Sequence, residues 1–140
     1  MIKQGALLLP MGRVVINGAP VHIVGRIYDG DGGDAIAEWK PGSYLTVYLG
    51  LNMPWFRVVE ALHHEIYELS AIILGLHYEP FRFLKSGSCD RFVIHATHPE
   101  FAVWVKEASD AIENIHDEVR AKWRMAMKIR KADAKRKGKK

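Results

Sequence analysis

Between positions 63 and 68 the chain places two imidazoles and two carboxylates: His63, His64, Glu65 and Glu68. On an α-helix, side chains three or four residues apart converge on one face, and only such pairs can share one ion. His64 and Glu68 are four apart. An imidazole nitrogen and a carboxylate oxygen are both acceptable zinc donors. A catalytic zinc also needs a third protein ligand, an open position and a base for its bound water. Glu65 directly follows His64, and a carboxylate in that position is the base of the His-Glu-x-x-His arrangement.

A helix must position these groups, and the flanking residues predict one. Trp55, Val59, Leu62, Ile66, Leu69, Ile73 and Leu76 recur at steps of three and four, which is one apolar stripe. Pro54 suits the first turn. With Leu62 set at zero, a turn of about 100° per residue puts His64 at about 200° and Glu68 at about 240°. Glu65 falls at about 300° beside them, and His63 at about 100° on another side. His63 is therefore expected to pack or hydrogen-bond rather than ligate. Ala61, Ala71 and Gly75 surround the His64/Glu68 face, so room is expected there for another segment or a substrate.

The stretch from Tyr44 to Leu76 comprises YLTVYLGL, a short loop and a helix bearing ALHHEIYEL. It resembles the core of the minimal zincin-like metallopeptidases, in which an extended edge strand precedes the His-Glu-x-x-His helix. It covers roughly a quarter of the chain. The resemblance implies that His64 is the first zinc ligand and Glu65 the general base. Glu68 stands where the family has its second histidine. A carboxylate there keeps a site but lowers the Lewis acidity of the metal, and it admits Mn2+ or Fe2+ beside Zn2+. The resemblance also implies a peptide or protein substrate, paired as an extra strand along Tyr44–Leu49.

The third ligand has to come from later in the chain. His98 is the first candidate, because a helix start disfavours the imidazolium and keeps a neutral, ligating ring. His95 is second, as a ligand or as a group orienting one. His77 lies about three turns from His64 along the helix, too far along its axis. Glu79, Asp90 and Glu100 remain as carboxylate alternatives.

The rest of the chain reads as a small α+β domain, with N-terminal antiparallel strands packed on the active-site helix and a long C-terminal helix. Arg13–Ile16 and Val21–Tyr28 are β-rich runs around Asn17-Gly18, a strong hairpin signal. Asp29–Asp34 is an acidic glycine-rich loop without the EF-hand pattern. Residues 77–84 and 91–96 read as short strands. Thr97, Pro99 and Glu100 fit a helix start with a capping box. The helix that follows carries Phe101, Trp104, Val105, Ala108, Ile112, Ile115 and Val119, and is expected to end near Met127.

Composition bounds the functional classes. The chain has 140 residues, 49% apolar, with 20 Lys+Arg against 16 Asp+Glu. That composition suits one folded domain, 1–127, with no apolar run long enough for a membrane span. One cysteine, Cys89, excludes an internal disulfide framework and fits a cytoplasmic protein. Cys89 beside Asp90 is a poor nucleophile, since a neighbouring carboxylate raises a thiol pKa. Residues 128–140 hold eight Lys/Arg and one Asp, so a basic tail overlies an acidic body. Lys128–Lys140 is expected to be a frayed, solvated end or a nucleic-acid contact. The leading reading is a metal-dependent hydrolase, a zinc metallopeptidase. The alternatives are a non-catalytic binding module using the basic tail, and a zincin fold that keeps its metal for structure alone.

Overall fold

A computed structural model describes residues 6–28, 38–39, 45–80 and 92–139. The Asp29–Asp34 loop, Asp90, and the loop with Cys89 lie outside these residues, as do the side chains of His77, Glu79 and His95. The fold is α+β: a mixed sheet with two helices on one face, the second long and C-terminal.

The first two strands, β1 (Ala6–Ile16) and β2 (Ala19–Tyr28), form the expected antiparallel hairpin. Its loop is two residues long. Ile16 pairs with Ala19, and Asn17 and Gly18 both adopt positive φ, 46° and 78°. Only residues tolerant of that region make so tight a turn with the right twist. Leu7, Leu9 and Met11 point to the core, and so do Val14 and Ile16. A strict two-residue alternation would turn the second set outward. The register slips between Pro10 and Gly12, whose φ is 125°, and this bulge restores the inward face.

The next strands are β3 (Glu38–Trp39) and β4 (Leu45–Gly50), and the sheet order is β1-β2-β4-β3. The N-terminal hairpin is antiparallel, and β4 joins it by running parallel to β2, with Val21 beside Leu45 and Arg26 beside Gly50. One expectation is corrected here: β4 is not a free edge, because β3 pairs with it at Val47 and Tyr48. The β2–β4 pairing buries Val21, Ile23 and Ile27 with Val47 and Leu49, the alternate residues of each strand.

Helix α1 (Trp55–Ile73) follows β4 directly. Of the expected stripe, Leu62, Ile66, Leu69 and Leu76 are buried, while Trp55, Val59 and Ile73 are half-buried and Val58 takes the inward position in place of Val59. It has no acidic residue in its first turn and no basic residue in its last, so packing rather than the helix dipole holds it. Gly75 ends it. The Gly75 and Leu76 amides donate to the Ile72 and Ala71 carbonyls at 3.0 and 2.9 Å, with Gly75 at φ 70°. This is a Schellman cap, so Gly75 serves chain reversal rather than clearance around His64.

Strands β5 (His77–Pro80) and β6 (Phe92–His95) pair antiparallel, His77 opposite His95. Helix α2 (His98–Gly138) then runs for 41 residues. Thr97 caps it, its hydroxyl accepting from the Glu100 amide over a long 3.4 Å. Ala108, Ile112, Ile115 and Val119 are buried, whereas Phe101 is exposed. Instead of ending near Met127, the helix continues through the basic tail. Ala, Lys and Arg are strong helix formers, and Lys135, Arg136 and Lys137 in the last turn complement the dipole.

The two helices are antiparallel. Trp123 Nε1 donates to the Met53 carbonyl at one end of α1, and Trp104 Nε1 to the Tyr67 carbonyl further along, both at 2.8 Å. No described helix is long and apolar enough to cross a membrane.

Candidate metal centre

The site lies in the middle of α1, on the side away from the core stripe. His64 Nε2 is 3.2 Å from Glu68 Oε2 and 3.8 Å from Glu65 Oε1. Donor atoms of all three residues lie within 4.8 Å of one another, and among the described residues this is the one such group of three histidine, cysteine or carboxylate side chains. Two ligands on a tetrahedral zinc with bonds near 2.0–2.2 Å stand about 3.3–3.6 Å apart. The His64–Glu68 separation lies just under that edge, within a small side-chain adjustment of it. The group can therefore hold a metal ion.

The three side chains differ in environment. His64 is exposed, Glu68 half-buried and Glu65 buried, at 8% of its full exposure. Burial is the main reason the Glu65 carboxyl is pushed up to about 7; the negative charge of Glu68 adds to it, and the charge of His64 opposes it. A carboxyl poised near neutrality can take up and release protons at ordinary pH, which is what a general base requires. The helical angle alone places Glu65 at the border of the apolar stripe and does not reveal its burial. Ala71, on the same side as His64, is fully buried and Ala61 half-buried. That part of the face is covered rather than solvated.

The neighbouring histidine does different work. His63 Nδ1 donates to the Val59 carbonyl at 2.8 Å, and its ring stacks on Tyr67 at 6.4 Å between centroids. Tyr67 in turn meets Ser109 at 3.2 Å and the edge of Trp104. His63, Tyr67 and Ser109 line a cleft of about 410 Å³ between α1 and α2, together with Ile112, Glu113, His116 and Asp117. The cleft does not include His64, Glu65 or Glu68, so it and the metal group are separate features of α1.

His98 is exposed in the first turn of α2 and is not part of the His64–Glu65–Glu68 group. It precedes Trp104, which docks on Tyr67, by six residues, or about 9 Å of helix. The antiparallel packing thus directs it toward the C-terminal end of α1. No protein-family model matches the chain, and comparison with curated proteins and with solved structures returned no match.

Proposed function

We propose that the protein is a metal-dependent hydrolase, a zinc metallopeptidase acting on a peptide or protein substrate. One observation carries this reading: a histidine and a glutamate one helical turn apart, at ligand spacing, beside a buried glutamate whose carboxyl is pushed up to about 7. His64 and Glu68 are the metal ligands. His98 is the third ligand, on sequence grounds alone, with His95 the next choice. The ion is Zn2+, with Mn2+ or Fe2+ compatible with the extra carboxylate.

A bound zinc would supply Lewis acidity, polarising a carbonyl and making water acidic near neutral pH. Glu65 acts on the proton side of the reaction. Its carboxylate receives the proton of the attacking water and returns it to the departing amine. Burial, and after it the negative charge of Glu68, raise the proton affinity of Glu65 and keep it basic enough to do so. The resemblance to minimal zincin-like metallopeptidases in the ALHHEIYEL segment supports the same assignment.

The test is hydrolysis of a mixed peptide library by the zinc-loaded protein and by Glu65→Gln. The reading requires cleavage that chelation stops, and a loss of about 10²-fold or more in Glu65→Gln with metal content unchanged. A metal-loaded protein that cleaves nothing would leave a structural metal as the role of the group.

A further inference from the structure

We propose that the outer face of the C-terminal half of α2 is a docking surface for duplex DNA, held through its phosphates without sequence readout. The observation is a ridge of cations that the helix assembles. Arg120, Arg124, Lys128, Lys131, Lys135 and Lys139 follow one another at steps of four or three, and all six are exposed. At about 100° per residue they span a sector of about 100°, centred opposite buried Ile115, Val119 and Ala126. The ridge is about 28 Å long, with a cation every 5–6 Å or so. After Glu118 the only acid is Asp133, which falls on the inner side in line with Ile115. The basic surface therefore begins inside the folded body, at Arg120, whose guanidinium lies 5.6 Å over the Trp55 ring. It does not begin at the tail.

The chemistry of the ridge selects its partner. Phosphates recur every ~3.4 Å along each strand of a duplex, a density that a rigid row of cations can neutralise with release of counterions. Single-stranded nucleic acid is held by stacking bases on aromatic side chains, and no aromatic residue occurs from Arg124 to Lys140. A membrane-surface helix needs an apolar face to insert. Here that face is used internally, since Trp123, Ala126 and Ile129 pack against the core. The B-form major groove, about 12 Å wide, admits an α-helix, whereas the narrow A-form major groove excludes side chains. That favours DNA over RNA.

The experiment is fluorescence anisotropy of the full chain with 20-base-pair DNA duplexes of several sequences, at 50 to 200 mM salt. The proposal predicts similar affinity for every sequence and a log–log salt slope of about −4 to −5. Lys128→Gln/Lys131→Gln/Lys135→Gln should reduce the slope by about three and weaken binding at least 30-fold. A triple variant removing the same charge elsewhere, Arg13→Gln/Arg57→Gln/Lys106→Gln, should leave the slope within one unit. Circular dichroism verifies that both variants keep their helix. Equal losses in the two variants, tighter binding to duplex RNA, or tighter binding to phosphatidylserine vesicles would each overturn it.

Discussion

The imidazole Nε2 of His64 and the carboxylate Oε2 of Glu68 face each other at 3.2 Å across one turn of α1. As an ion pair this arrangement has little to recommend it. The histidine is exposed, and the acid lies C-terminal to the base, the weaker order for an i, i+4 pair on a helix. As two corners of a metal polyhedron the same spacing is close to what the donors require.

Metal binding to the folded state alone makes stability depend on metal concentration. At one hundred times the dissociation constant, linkage adds about 2.7 kcal/mol, or several degrees in Tm for a chain of this size. Thermal unfolding with rising zinc should show that increase in the native protein. Glu68→Ala should abolish it, while its Tm without metal changes by only about 0.5 kcal/mol equivalent.

Glu65 makes the metal-free protein pH-sensitive. Its folded value of about 7 lies above the ordinary 4.5, so between those values the folded state holds a proton that the unfolded state has lost. The stability this contributes is complete below about pH 4.5 and disappears as pH rises through about 7. In chelator-treated protein, Glu65→Gln should unfold like the native chain at pH 4.5 and gain on it by about 1–3 kcal/mol at pH 8. Denaturant titrations at both pH values check this, and parallel curves would contradict the burial of an ionisable Glu65.

Gly75→Ala tests the cap that ends α1. Nothing lies within 4 Å of an added Cβ, so the cost is the positive φ alone, about 1 kcal/mol. Gly25→Ala is different in kind. Its Cβ would meet Leu51 Cδ1 at 2.6 Å in a buried part of the β2–β4 pairing, and overpacking of this sort costs about 1–3 kcal/mol. Denaturant midpoints should rank Gly25→Ala the less stable of the two.

Local chemistry was legible in the sequence where it acts alone. Asn17-Gly18 marked the hairpin because few residues reach positive φ, and the apolar stripe marked α1 because its period is helical. The parallel pairing of β4 with β2 was not legible, because the intervening residues carry no pattern that sets strand direction. The helix through Lys128–Gly138 was hidden by its charge, which reads as a solvated tail although Lys, Arg and Ala favour helix. At the site, the spacing of His64 and Glu68 followed from helix geometry. The burial of Glu65 did not, since its angle borders the core and only the tertiary neighbours decide its exposure. The third ligand depends on long-range placement that spacing along the chain does not encode.

His98 and His95 are separated by substitution. If His98 completes the site, His98→Ala should lower zinc affinity at least 10²-fold while His95→Ala lowers it less, measured by competition with a chromophoric chelator. The reverse order would assign the third position to His95.

The most direct measurement is elemental analysis of the purified protein and of His64→Ala, each prepared without chelating resins. One equivalent of a transition metal per native chain, lost in His64→Ala while circular dichroism is unchanged, is the predicted result. A native chain without stoichiometric metal, or a His64→Ala variant that retains it, would contradict a metal centre at His64 and Glu68.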